Sequence, residues 1–297
     1  MVDNGEEFRA WMAPHVLATR RFCDVIEAVA DRHGQLPDAA SPAMMELANE
    51  AEYRALSSWR NPVMDTHVFG GMTLRAAVDY LRSFAQLFDS DEPPIYAHAV
   101  VARAAFESST ASSWLNQPDI GVRERIRRGL CEQIYSAREV DALRIDEKSS
   151  ERLDMWVGVA GKFGWTAKRG SSKVNGLGRP TVSDGIVQAA GSGEESRVGD
   201  LLYSRASAIS HVTWFGLQSG LDVAGAALNP ASGTGRVPLG TDTARVGAIA
   251  YYMIRTARAA ASARVSLMRW ADDEWDAGLE NQIAAEQEIA RLTLERL

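Results

Sequence analysis

The sequence predicts an all-α fold, a single multi-helix bundle of roughly eight to ten helices over residues 1–297. Apolar residues at helical spacing recur in segment after segment, separated by short breaks rich in glycine and proline. Convincing period-two alternation is absent, so no strand-built core is expected. The composition, 46% hydrophobic and 24% charged, is that of an ordinary globular protein rather than a disordered one.

Residues 6–32 place Phe8, Met12, Phe22, Ile26 and Val29 on one helix, with a kink expected at Pro14. Residues 34–40 read as a loop, and Ser41 before Pro42 offers an N-cap and a first helical position. That helix is expected to run to about Arg60 and stop before Pro62. The Gly70-Gly71 pair is expected to break the chain ahead of a helix at 73–88. The longest apolar stretch, 95–115, contains Arg103 and Glu107 near its centre, which favours a buried core helix over a membrane span.

A charged amphipathic helix follows at about 122–144 and another at about 149–165. A Gly-rich loop at 166–183 comes next, followed by a short helix from Gly185. Ser192 and Glu195 have the spacing of a capping box before a helix reaching Val223. A second Gly/Pro loop at 229–240 precedes two last helices, at about 242–270 and 276–297, the latter a candidate interaction element. Lys173-Val174 and Arg236-Val237 are the places where short hairpins could lie.

The net charge of −7 argues against a protein dominated by nucleic-acid backbone contacts. The charge is uneven, since residues 121–180 carry thirteen Lys/Arg against eight Asp/Glu. Cys23 and Cys131 lack metal-ligand spacing and fit reduced thiols, and the acidic N-terminus lacks an apolar signal region. Both features lead to a cytoplasmic expectation. Gly191-Ser192-Gly193 and Gly233-Thr234-Gly235 lack a third glycine and a preceding strand, and no His follows a Glu by three residues. No cofactor and no metal are therefore expected. The run Asp272-Asp273-Glu274-Trp275-Asp276 has a magnesium-diphosphate pattern, but without a second acidic motif it reads as a solvated turn.

The segment from Tyr203 to Trp214 carries the main chemical signal, Arg205 and His211 with five residues between them. On a helix, Tyr203, Ser207, Ser210, His211 and Trp214 share a face, and Arg205 lies about 120° from His211. The spacing resembles the Arg-x4–6-His motif of the HEPN superfamily, helical proteins that are often dimers and often metal-independent ribonucleases. Ala206 departs from the polar residue usual after the Arg in active members. The resemblance implies RNA or another phosphate-bearing ligand as partner, with His211 as general acid/base and Arg205 stabilising the developing phosphorane charge. Ser207 stands between them as a further candidate. It also implies a homodimer.

Three further sets are candidates for binding. His98, Arg103 and Glu107 lie on the apolar stretch, where charges need partners and where a polar pocket with His211 is the alternative to mutual pairing. Tyr203 and Trp214 would flank His211. Lys168, Arg169, Lys173 and Arg179 stud the Gly-rich loop and suit phosphate contacts. Two other classes of function stay open: a helical small-molecule enzyme or binding protein built on that polar pocket, and a structural or partner-binding protein.

Overall fold

The computed structural model describes residues 4–89, 94–145, 147–191, 193–218, 227–229, 234–236 and 243–294. The described residues are predominantly helical, as the periodicity predicts. Among the described residues there are twelve helices rather than eight to ten. They are α1 (Asn4–Arg32), α2 (Pro42–Leu47), α3 (Glu50–Arg54), α4 (Pro62–Leu87), α5 (Ala97–Leu115) and α6 (Val122–Ala142). Then come α7 (Ser149–Lys162), α8 (Val182–Ala190), α9 (Glu194–Ser210), α10 (Trp214–Gln218), α11 (Thr243–Met268) and α12 (Asp273–Leu294). Two antiparallel hairpins, β1 (Ala167–Lys168) with β2 (Ser171–Val174) and β3 (Ala227–Asn229) with β4 (Thr234–Arg236), sit in the two glycine-rich stretches.

The departures from expectation have local causes. The stretch after Ser41 begins as predicted, Ser41 accepting from the Met44 amide and Pro42 opening α2. It then divides, because the Asn49 side chain donates to the Met45 and Glu46 carbonyls and ends the helix there. Gly70-Gly71 breaks nothing, and α4 runs straight through it. A Cβ at Gly70 would lie 2.6 Å from Asn116 Oδ1 and one at Gly71 3.1 Å from Arg264 Nη2, so these glycines admit side chains from α5's end and α11. The expected Ser192–Glu195 capping box rests on Ser192 and on the Glu195 side chain, both outside those described. Gly193 occupies the α9 N-cap without a side-chain bond, and a capping box is present at Thr181 and Asp184 on α8. The helix expected to reach Val223 ends at Ser210, and α10 follows a tight turn.

Two large apolar clusters form most of the interior of the described residues. One joins α1, α4, α5, α8, α9, α11 and α12, with Met12, Phe22, Leu81, Phe84 and Phe106 at its centre. The other joins the N-terminal half of α4, the end of α5, α6, α7 and β2 through Val63, Leu115, Ile126, Leu130 and Ile134. Each such side chain contributes about 1.5–3 kcal/mol by leaving water. Helices α4 and α5, which pack antiparallel, supply residues to both clusters and tie them together. On α12, Trp275 and Ile289 are buried in the first cluster while Ile283 is exposed. No helix among the described residues is long and apolar enough to cross a membrane.

A polar seam lies where the clusters meet. Arg125 is fully buried; its guanidinium donates to both Glu46 oxygens and to the carbonyls of Leu115 and Gln117. His67 Nε2 lies 3.0 Å from Glu46 Oε2. Arg264 Nη1 donates to the His67 carbonyl at 3.0 Å and to Asn116 Oδ1 at 3.1 Å, and Asn116 in turn donates to the Gly70 carbonyl at 2.8 Å. Arg128 also turns inward, bonding the Trp114 carbonyl at 2.6 Å and lying over the Trp114 ring. Helix α6, the charged amphipathic helix, therefore uses two of its arginines as buried connectors.

Candidate functional site

Helices α5 and α9 pack through small residues. Ala99 and Ala206 are completely buried between them, with Ile209 and Tyr96 closing the contact. Alanines at a crossing let two helices approach closely, which brings their longer side chains together at the edge of the contact. Ala206, the residue that departs from the HEPN pattern, is thus a packing residue.

From α5 come Arg103 and Glu107, one turn apart, with Arg103 Nε donating to Glu107 Oε1 at 2.8 Å. From α9 comes Tyr203, whose hydroxyl donates to the same oxygen at 3.2 Å. At the end of α9 stands His211, its Nε2 2.9 Å from Arg103 Nη1. A guanidinium has only donors, so this contact requires a lone pair on Nε2 and holds the ring as the Nδ1–H tautomer. The cluster is half open to solvent, with Arg103 24% and Glu107 42% exposed. Partial burial opposes charge on Arg103, but Glu107 and Tyr203 outweigh it and raise its pKa. Burial, reinforced by Glu107, raises that of the Tyr203 hydroxyl, which stays protonated at neutral pH.

The turn after α9 fixes His211. Its amide donates to the Ser207 carbonyl, the Val212 amide to Ile209 and the Thr213 amide to Ala208. The last two bonds are those of a Schellman cap, a motif that calls for glycine at the left-handed position. Here that position is Val212, at φ 53°, a backbone state costing a β-branched residue about 1–2 kcal/mol. The Thr213 hydroxyl donates to the Ala208 carbonyl and accepts from the Gly216 amide, stitching α10 to α9.

The expected site residues divide. Arg103, Glu107, Tyr203 and His211 come together as one hydrogen-bonded group. Arg205 is part-buried on α9, and Ser207 contributes its carbonyl to the His211 cap. His98 does not join the group. It is buried in the first turn of α5, beside Phe88, with Nδ1 3.2 Å from the Pro94 carbonyl. Burial pushes its pKa down to about 4. Trp214 opens α10, but its side chain lies outside those described.

The cations of the first hairpin divide as well. Lys168 and Lys173 are exposed. Arg169 is bound to Asp154 at 2.9 Å and to Ser150, while Arg179 meets Glu132 at 2.7 Å and lies 4.2 Å from the Tyr135 ring centre. These arginines anchor the hairpin to α6 and α7. The Asp272–Asp276 run is likewise structural: Asp272 accepts from the Trp275 amide at 2.7 Å, capping α12, and binds Arg32 at 2.9 Å. No group of three or more His, Cys, Asp or Glu among the described residues is placed to hold a metal ion.

Sequence reasoning missed Arg264, which is only 7% exposed. The signal was available: an arginine in the apolar run of α11 raises the same question as Arg103 in α5. Comparisons with family models, with curated proteins and with solved structures find no match to this chain.

Proposed function

We propose that Arg103, Glu107, Tyr203 and His211 form an acid–base site that cleaves RNA phosphodiesters. The observation that carries this reading is the contact of Arg103 with His211 Nε2 at a solvent-open position. An imidazole whose basic nitrogen is held by a guanidinium is suited to a reaction in which an arriving phosphate claims the guanidinium. Arg103 then turns to the phosphate oxygens and Nε2 is released as a base.

The 2′-hydroxyl gives its proton to His211 Nε2 and its oxygen attacks phosphorus. The bond to the 5′-oxygen breaks, that oxygen takes a proton from water, and a 2′,3′-cyclic phosphate is left. Glu107 keeps Arg103 charged and oriented, and Tyr203 holds Glu107. The family resemblance assigns the phosphorane to Arg205; the reading here gives that role to Arg103, with Arg205 as a second cation one helical face away. Arg169 and Arg179 are engaged by carboxylates, so this reading rests on the Arg103/His211 cluster and not on the cations of the hairpin.

The test is a denaturing-gel assay with total RNA and purified tRNA in the presence of a chelator. Wild type is expected to cleave, His211→Ala and Arg103→Ala to lose about 10²–10⁴-fold, and Arg205→Ala to lose much less. Inert wild-type protein, or a His211→Ala variant that cleaves like wild type, sinks the reading.

A further inference from the structure

A second site lies on another face of the molecule and is independent of the phosphodiester reading. A cleft of about 440 Å³ opens between α1, α4 and the C-terminal end of α11. Ile26, Ala30, Val68, Leu74 and Val78 give the two long helices an apolar share of its lining, with Trp270 from the end of α11, beside the charged Glu27, Asp31, Arg75 and Arg82. Arg264 lies at its floor and is buried.

The charges around that floor do not balance. Arg264 bonds through Nη1 alone, to a backbone carbonyl and an amide oxygen, both neutral, and its Cζ lies 5.5 Å from the Trp270 ring centre. No carboxylate among the described residues pairs with it. The nearest acid of the seam, Glu46, is already engaged by Arg125 and His67. Burial, together with Arg125, lowers the Arg264 pKa to about 10, so the group remains charged at neutral pH. His67 is held neutral by its own burial, which outweighs the pull of Glu46. The seam's carboxylate thus belongs to Arg125, and Arg264 is a buried cation without a counter-charge among the described residues, a strongly unfavourable state.

The unused edge of Arg264, Nε with Nη2, presents two parallel N–H groups, the fork that matches a carboxylate. Gly71 lines the same cleft, and any side chain there would crowd Nη2. Glu27, Asp31, Arg75 and Arg82 also line the cleft, Glu27 being bound by Arg82 at 2.6 Å, so phosphate enters the test as a competitor.

We infer that this cleft binds a small monocarboxylate with an apolar body, its carboxylate on the free edge of Arg264 and its body against α1 and α4.

The experiment is isothermal titration calorimetry of the full chain with octanoate, with 1-octanol as the uncharged probe and inorganic phosphate as competitor. Octanoate is expected to bind wild type at least about tenfold more tightly than octanol, and Arg264→Met to lose at least about tenfold. Met72→Trp, at an exposed position on the cleft wall, leaves Arg264 untouched and is expected to weaken octanoate about tenfold by filling the cleft. If Arg264→Met fails to fold by circular dichroism, Met72→Trp and the octanol comparison decide. Absence of octanoate binding, equal binding of octanol, unchanged binding in either folded variant, or displacement of octanoate by equimolar phosphate each overturns the assignment.

Discussion

Arg103 and His211, 108 positions apart in sequence, meet with Nη1 2.9 Å from Nε2 at the open edge of the α5–α9 contact. The contact makes a prediction that needs no substrate. In the neutral ring the proton sits on Nδ1, because Nε2 accepts from a group that can only donate. Nitrogen-15 NMR of the histidine side chains should show His211 mainly as the Nδ1–H tautomer in wild type. In Arg103→Ala the Nε2–H tautomer, the usual favourite of a free imidazole, should gain population. An Nε2–H ring in wild type would mean that the contact does not exist in solution.

The strained cap behind His211 yields a second prediction. Val212 is 70% exposed and sits at φ 53°, so it buries little and strains the backbone. Val212→Gly should stabilise the protein by about 1 kcal/mol in urea denaturation, the left-handed relief exceeding the entropy cost of glycine. If the phosphodiester reading holds, the same variant should cleave RNA more slowly, since a softer cap positions His211 less well. A loss of stability would show that Val212 packs in a way its exposure does not reveal.

How much of this was legible in sequence can be judged residue by residue. Helical periodicity marks the long helices because their apolar faces are continuous from Phe8 to Val29 and from Leu74 to Phe84. Local punctuation misleads where tertiary contacts override it. Gly70-Gly71 has the composition of a break, yet the glycines exist to admit Asn116 and Arg264, whose approach from distant positions leaves no trace in the neighbouring sequence. The pairing of Arg103 with Glu107 follows from helix spacing alone. That His211 meets Arg103 rather than a partner on its own helix depends on the α5–α9 crossing, which one-dimensional pattern does not encode. His98 looked equivalent to Arg103, but five residues along a helix turn it about 140° away and into the core.

The burial of His98 has a measurable consequence in acid. Its folded-state pKa, down to about 4, lies below the value near 6.5 expected in the unfolded chain. Above about pH 6.5 neither state is protonated and the group contributes no pH dependence. As pH falls from there toward 4, the unfolded chain takes a proton that the folded protein refuses, and stability drops by up to about 1.4 kcal/mol per pH unit. His15, lowered by burial to about 4, acts with the same sign. Glu132, raised by burial to about 6 despite Arg179, acts with the opposite sign between about pH 6 and its ordinary range. The clean measurement is therefore a difference: urea denaturation of wild type against His98→Gln at pH 7, 6, 5 and 4.5. The variant should lose less stability than wild type, the gap growing by about one proton's slope per pH unit. Parallel curves would place His98 in contact with water.

The glycines provide the last contrast, between positions that look alike in sequence. Gly129 lies in α6, and a Cβ there would come within 2.1 Å of Thr66 Oγ1; Gly158 lies in α7, and a Cβ there would meet nothing within 4 Å. Helix propensity alone favours alanine at both by about 0.5–1 kcal/mol. At Gly158, on an exposed face, that preference acts unopposed, so Gly158→Ala should raise the free energy of unfolding by about that amount. At Gly129 the new methyl collides with a threonine that cannot move away cheaply. Thr66 is itself buried, and its hydroxyl donates to the Pro62 carbonyl at 2.8 Å, one turn back on α4. Gly129→Ala should therefore cost about 1–3 kcal/mol despite the gain in propensity. The double variant Gly129→Ala/Thr66→Ala, which removes both the hydroxyl at 2.1 Å and the methyl at 2.9 Å, should recover part of the loss. Equal effects at the two glycines would mean that α4 and α6 do not approach as closely as Thr66 and Gly129 require.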